Sequence, residues 1–364
     1  MPLSRKILIA IIILLFSYIL YRLLHKRQEI IQGNSQRYKE GFNKEGFNKE
    51  GFNKEGFNKE GFENAKNTII AQSINSTNTG MPLAQYCVKG SYNTALTGNT
   101  ISLDMIKYVL SRGCRFVDFE VFYIDDTPYV AYTNDSTYTS IQTENKLLLD
   151  EVLTKTVLYA FGPNAPNAKD PLFIHIRVKS TNNNVYKAVG KSVDYALRDK
   201  LYEKPVDDKT KLADVMGKVV LIMDKTINYD YGDYSRCGSK DLNCYDLTKL
   251  VNIESGSEYV KLFRYNEVLL KQPKQPTVSN DNETVDVKSV QIVLPDFNTK
   301  NIKNPNFGEF VMNYGSQIVP FRFYQKDDEL ANYEKVFSDN SSGIMTMSKA
   351  MLYFKKQKEH AESK

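Results

Sequence analysis

Tryptophan is absent from this chain, and histidine and cysteine are scarce, with 3 and 4 copies in 364 residues. The aromatic bulk comes instead from 24 tyrosines and 19 phenylalanines. No cysteine or histidine spacing of the zinc type is present. Of the histidines, His25 follows an apolar N-terminal run and His360 sits in a charged C-terminal stretch, which leaves His175 alone in the body of the chain. Neither charge sign dominates: the net charge is +5, too small and too dispersed to argue for nucleic acid as a partner.

What remains reads as an ordinary globular protein, 41% hydrophobic and 25% charged. About 80 residues form an N-terminal extension, and the rest approach the ~250 typical of a (β/α)8 barrel. One large core is favoured over two small ones.

Residues 7–24 are mostly apolar with a single charge, Arg22, close to the ~20 residues a spanning helix needs. No small-residue cleavage site follows; His25, Lys26, Arg27 and Gln28 do, so the run is expected to anchor the chain rather than to be removed. Tyr18 and Tyr21 suit a membrane interface, and the flanking lysines and arginines lean slightly toward a cytoplasmic domain. Residues 41–60 are four copies of Gly-Phe-Asn-Lys-Glu, with a fifth beginning at Gly61. A period of five gives phenylalanine no common face on helix or strand, and the repeated glycine opposes a helix. A flexible tether spanning about 35 Å as a coil follows, although the recurring phenylalanine also suits a sticky array for a partner. The expected organisation is an anchor over 1–28, a stalk over 29–80, a barrel-sized domain over 81–350 and a charged tail over 351–364.

From residue 81 onward apolar runs alternate with amphipathic ones. Strands are predicted over 116–122, 129–132, 172–178, 219–223 and 318–323, and helices over 102–111, 147–159, 193–201 and 327–336. Residues 229–250 and 271–290 read as loops or insertions. Strand–helix alternation argues for a parallel sheet.

Two segments carry a more specific signal. Pro82-Leu83-Ala84-Gln85-Tyr86 leads into Ser91-Tyr92-Asn93-Thr94-Ala95-Leu96-Thr97-Gly98, and Gly113-Cys114-Arg115-Phe116-Val117-Asp118-Phe119-Glu120 follows. Together they resemble the X region of phosphoinositide-specific phospholipase C, where P-L-x-x-Y and S-H-N-T-Y-L-x-G precede G-C-R-x-V-E-L-D. Pro128 to Asp135, Pro171 to Arg177 and Val215 to Ile222 resemble later parts of that region. Leu262-Phe263-Arg264-Tyr265, Asn304-Pro305 and Gly315 to Phe321 resemble the Y region more weakly. The resemblance implies an α/β fold, a (β/α)8 TIM-type barrel of the PLC-like phosphodiesterase kind.

It also implies where a site should be and what has changed there. Asn93, Asp118 and Glu120 stand at calcium-ligand positions, with the acid pair swapped in type. Tyr92 stands where the first catalytic histidine belongs. The second histidine falls at Tyr132 when counted from the proline and at Thr133 when counted from the acid pair. Arg177 replaces the remaining glutamate ligand. The reaction needs a general base, a general acid and positive charge on the phosphate. Tyrosine, with an ordinary pKa of ~10 against ~6.5 for histidine, is a poor substitute. His175 could be a relocated acid or base, or a hydrogen-bonded core residue; an acid-pair carboxylate could keep the role of base. Arg177 could hold phosphate or simply pair with the carboxylates, and it disfavours calcium, so no cofactor is expected. Lys225 and Arg264 match phosphate- and substrate-binding positions, or are solvated surface charges. Cys237 and Cys244 bracket a polar loop and could pair in an oxidising compartment, whereas Cys87 and Cys114 read as small buried thiols. The glycosylation sequons at Asn75, Asn134, Asn282 and Asn340 are too short a pattern to settle topology.

The resulting expectation is a membrane-anchored phospholipase-C-like domain, catalytically degenerate, serving as a binding or structural protein. The alternative is an active, divergent phosphoric diester hydrolase acting on phosphatidylinositol-type lipids. Expected partners are a lipid membrane, its anionic phospholipid head groups, and proteins meeting the stalk. An anchor with a repeat-bearing stalk resembles membrane proteins of large DNA viruses, which would make the partners viral or host proteins and the location a virion membrane.

Overall fold

The computed structural model describes residues 71–363, other than 136, 139, 239–243, 280–282 and 298–302, together with the pairs 52–53 and 56–57. The chain divides into two units, Met1–Glu63 and Asn64–Lys364. In the first, Phe52–Asn53 pairs antiparallel with Gly56–Phe57, a short pairing within the repeats that their period of five did not suggest.

The second unit opens with β1 (Tyr86–Val88) and β2 (Gly90–Ser91), followed by α1 (Leu103–Ser111) and β3 (Phe116–Ile124). β4 (Thr127–Val130) and β5 (Leu147–Leu148) extend the far end of β3 antiparallel, before α2 (Leu149–Phe161) returns the chain to β6 (Leu172–Val178). Then come α3 (Val185–Leu197), β7 (Val219–Asp224), the short helices α4 (Tyr231–Ser235) and α5 (Leu247–Leu250), and β8 (Ile253–Ser255). β9 (Val260–Arg264), α6 (Tyr265–Leu269), β10 (Val290–Leu294) and α7 (Phe307–Tyr314) follow, and α8 (Asp328–Asp339), β11 (Ile344–Thr346) and α9 (Met347–Glu362) complete the unit.

Parallel ladders run β2–β3–β6–β7–β8, and β9 pairs parallel with β10. Ile318 then bridges in parallel to Ile292 and Val88, and Phe321 to Ser91, which brings the wall back to β2. Between β8 and β9 the chain turns tightly, with the Gly256 and Ser257 amides both donating to Val260 O at 2.8 and 3.1 Å. The result is an α/β barrel.

Alternation along β3 and β6 explains why these strands build it. Val117, Phe119 and Val121 point outward with Ile174, Ile176 and Val178, into a core shared with Leu110, Val152, Leu153, Val189 and Val193 of the surrounding helices. The intervening residues point inward. Low in the barrel these are Phe116 and Phe173, packed with Val220, Ile222, Ile253 and Ile292. Higher up they are Asp118, Glu120, His175 and Arg177, all buried. A strand with both faces covered reads as a continuous apolar run, so the polar residues that interrupt β3 and β6 mark the site.

The other end of the barrel is tied by a second ionic group. Lys89 Nζ donates to Arg112 O at 2.7 Å and meets Glu334 at 3.5 Å, while Arg112 pairs with Glu334 at 2.6 Å, fixing α8 to the barrel wall. Gly113 in the G-C-R motif adopts φ 83°, and a Cβ there would stand 2.6 Å from Ala71 Cβ, so glycine is required for the segment at 71 to pack.

Some expectations change. Residues 1–28 and most of the stalk lie outside the described residues, but residues 71–80, expected at the end of the flexible stalk, are bonded to the barrel unit: the Gln72 amide donates to Ser341 O at 2.9 Å, the Ala213 amide to Thr79 O at 2.9 Å, and Thr79 is buried. Among the described residues no helix is long and apolar enough to cross a membrane, which corrects the expected single-pass membrane location, virion membrane included. The physical reason is length and polarity: α9, the longest described helix at 16 residues, reaches only ~24 Å of a ~30 Å hydrocarbon layer and is rich in lysine and glutamate. Residues 351–362, expected as a charged tail, continue α9, whose Met347, Ala350 and Met351 are buried. Helix α3 begins at Val185, eight residues before the predicted start at 193, because Val185, Tyr186 and Val189 carry its buried face back toward an asparagine-rich stretch. Residues 318–323 make isolated bridges rather than a full strand.

Candidate active site

Strand register sets the geometry. Asp118 lies opposite His175 and Glu120 opposite Arg177 across the β3–β6 ladder, all four inward-facing near the C-terminal ends of the strands. Barrel enzymes place their chemistry at that end. Asn93 comes from the loop after β2, where φ 44° puts it in the left-handed region that asparagine tolerates better than most residues. That turn aims its backbone amide at Asp118 Oδ2, 3.0 Å away, and its side chain at Arg177.

Arg177 sits at the centre. Its Nε and Nη2 donate to Asp118 Oδ1 and Oδ2 at 2.8 and 2.7 Å. Nη1 donates to Glu120 Oε1 at 2.9 Å, and Nη2 also reaches Asn93 Oδ1 at 2.7 Å. Asn93 Nδ2 closes the ring by donating to Glu120 Oε1 at 3.3 Å. The outer oxygen of Glu120 is taken by Lys179 Nζ at 2.9 Å and by the Thr133 amide at 3.2 Å. Two carboxylates and two cations thus form a neutral cluster, with Arg177 and Asp118 at 0% exposure. Burial disfavours charge on Asp118, but the Arg177 guanidinium and the His175 hydrogen bond outweigh it and hold the carboxyl far below its usual range. Arg177, although desolvated, is held well above its ordinary value by Asp118 and its other neighbours. Lys179 is lowered by burial, with Arg177 adding to the effect and Glu120 opposing it.

His175 joins the cluster from below. Its Nδ1 lies 2.8 Å from Asp118 Oδ1 and its Nε2 2.9 Å from Ser255 Oγ. The sequence Asp118–His175–Ser255 has the connectivity of a serine-hydrolase triad. All three residues are fully buried, however, so no carbonyl or phosphate can approach Ser255 in this arrangement.

Tyr92 and Tyr132, expected at the histidine positions, both lie near the cluster. The Tyr92 ring lies 4.7 Å from the Arg177 guanidinium carbon, a cation–π contact. Burial raises the Tyr92 hydroxyl above its ordinary pKa, and burial with the nearby Tyr92 and Glu120 pushes Tyr132 up to about 12. Of the two candidate positions for the second histidine, Tyr132 shares the electrostatic neighbourhood of Tyr92 and Glu120, while Thr133 donates its amide to Glu120 Oε2 and accepts from the Asp135 amide at Oγ1. Lys225 pairs with Glu254 at 3.2 Å on the half-exposed rim. Arg264 donates to Pro295 O at 2.8 Å and lies over the Phe297 ring at 3.6 Å.

Asn93, Asp118, Glu120, His175 and Arg177 are therefore brought together, with Tyr92 and Tyr132 beside them. Thr133, the other candidate for the second histidine position, joins through its amide, and Lys179 and Ser255 join although sequence reasoning did not single them out. Lys179 could have been found: it continues the alternation His175, Arg177 by one more step of two. Ser255 could not, because β8 is too short to show a pattern.

Residues 79–225 match the family model described as phosphatidylinositol-specific phospholipase C, X domain. The chain carries a divergent PI-PLC X domain. Among solved structures it is similar to S. officinalis PLC21, with a TM-score of 0.55 and 18% identity over 82% of this chain and 42% of that one. It is similar also to L. pealei PLC21, with a TM-score of 0.51 and 15% identity over the same shares. The chain thus spans about two-fifths of the length of these structures, and at such identities the likeness concerns the fold. No curated protein matches the chain.

The X domain's residues do not fit a calcium ion. Calcium takes six to eight oxygens, and each oxygen of Asp118 and Glu120 already accepts two hydrogen bonds, one of them from Arg177 or Lys179. A dication would have to expel Arg177 and leave a charge to be re-paired. Among the described residues no group of three or more His, Cys, Asp or Glu could hold a metal. Calorimetric titration with calcium is expected to give no binding heat in the micromolar range; a micromolar site would show that Arg177 yields.

Proposed function

We propose that this X-domain barrel has lost phosphodiester cleavage and acts as a binding or structural protein. The observation that carries the reading is the buried Arg177 guanidinium, hydrogen-bonded at once to Asn93, Asp118 and Glu120, in the place the family resemblance gives to the ion. The two tyrosines support it, because neither can exchange a proton near neutral pH with its hydroxyl raised above 10. Lys225 and Arg264 at the rim are the cations that would meet an anionic phospholipid head group, and they could do so without any chemistry following.

The test is hydrolysis of phosphatidylinositol vesicles by the full-length chain, with and without calcium, from about pH 5 to 9, the range in which histidine titrates. No released inositol phosphate is expected. The opposing reading, an active diesterase working through His175, draws on the Asp118–His175–Ser255 connectivity. Turnover abolished by His175→Ala would establish that reading and end this one.

A further inference from the structure

Cysteines and sequons have no part in the barrel's site, and together they point elsewhere. Cys237 and Cys244 are joined by a disulfide with Cα atoms 5.6 Å apart. Gly190 on α3 lets the attached segment approach: a Cβ there would meet Tyr245 O at 2.5 Å. Cys87 and Cys114 are free thiols at 0% exposure, so no described cysteine offers a thiol to solvent. Disulfides of this structural kind persist in secretory or extracellular settings and are rare in the cytosol. A chain that folds there meets the machinery that modifies asparagine in Asn-X-Ser/Thr.

Four sequons compete, and burial separates them. The one at Asn134 includes residue 136, and the one at 282 begins outside the described residues. Asn340 is spoken for: its Nδ2 donates to Val336 O at 2.7 Å on the last turn of α8, and Ser342 is buried. Asn75 is different. It is exposed, as are Ser76 and Thr77. Its Oδ1 accepts from the Thr77 amide at 3.1 Å, and among the described residues nothing accepts from its Nδ2. The adjacent Ile74 amide donates to Asp170 Oδ1 at 2.9 Å, just before β6 begins, so Asn75 lies at the end of the barrel away from Arg177.

We propose that Asn75 is an N-glycosylation site, occupied in a secretory-type compartment where the Cys237–Cys244 bond also forms. The co-reactant is a lipid-linked oligosaccharyl pyrophosphate. Asn75 Nδ2 forms a bond to the sugar C1, the C1–O bond to the pyrophosphate breaks, the amide loses one proton and the lipid pyrophosphate leaves. No oxidant or reductant is consumed.

The full-length chain, expressed in eukaryotic cells with its own N-terminus, is the material for the test. Peptide-N-glycosidase is expected to increase gel mobility, and mass spectrometry to locate the resulting aspartate at position 75. Asn75→Gln and Thr77→Ala should each abolish the shift, Thr77→Ser should keep it, and Asn340→Gln should leave it unchanged. Thr77→Ser guards against misfolding, since it preserves both the sequon and the surface hydroxyl. An unglycosylated chain, a glycan mapped to another asparagine, or free thiols at Cys237 and Cys244 in the same preparation would each overturn the proposal.

Discussion

Arg177→Ala is expected to destabilise the barrel by about 3–5 kcal/mol, the range seen when one partner of a buried ion pair is removed and the other is left uncompensated. Asp118 and Glu120 would then share a fully desolvated site with Lys179 and the Asn93 side chain, and one lysine cannot replace four guanidinium hydrogen bonds. Arg177→Lys should recover little, because an ammonium cannot reproduce the planar fork that reaches Asp118 and Glu120 together. The pH dependence gives the signature. Asp118 has its folded-state carboxyl held far below its usual range. Its contribution is therefore present above the unfolded pKa of ~3.9 and is lost as pH falls toward the folded value. The gap between wild type and Arg177→Ala should be widest near neutral pH and should narrow below about pH 4, as protonation relieves the stranded carboxylates. Urea denaturation across that range measures it. A uniform loss at every pH would mean that the missing side-chain volume, rather than the charge, is responsible.

Much of this arrangement could be read from residues alone, and the rest could not for definite reasons. Strands β3 and β6 were readable because both faces are buried and the apolar run is broken only where the site lies. Asn93, Asp118, Glu120 and Arg177 could be named because the motif spacing carried them. That Arg177 would bond three of them at once depended on the β3–β6 register, which no local pattern specifies. Helices α7 and α9 were not predicted: α7 is one two-turn segment ended by Gly315 at φ 63°, and α9 hides a buried Met347, Ala350 and Met351 under a lysine-rich exterior. The resemblance left Tyr132 and Thr133 as equals, because counting from the proline and counting from the acid pair differ by one residue. Pairing of Cys237 with Cys244 was open in the sequence because proximity at a sequence separation of 7 does not fix side-chain direction.

Restoring the family pattern should convert the barrel from calcium-indifferent to calcium-dependent. The fair variant is Tyr92→His with Tyr132→His and Arg177→Glu. The third change adds a carboxylate beside Asp118 and Glu120, and those like charges can be held together only by a cation. The triple variant is therefore expected to be less stable than wild type without calcium and to regain stability with it, by an amount that grows with calcium concentration. Hydrolysis of phosphatidylinositol should become measurable only in that state. Acid and base groups are each worth about 10²–10⁴ in rate, but groups that act as a unit are strongly non-additive, so either histidine alone should do almost nothing. Lys179 would still hold Glu120 Oε2 at 2.9 Å, and replacing it as well should raise calcium affinity further. Calcium stabilisation without any hydrolysis would place the missing element in substrate access, because the cluster is sealed by Tyr92, Thr133 and Lys179. Hydrolysis without calcium, lost on His175→Ala, would show instead that a buried histidine can be uncovered and that the barrel kept a catalytic route of its own.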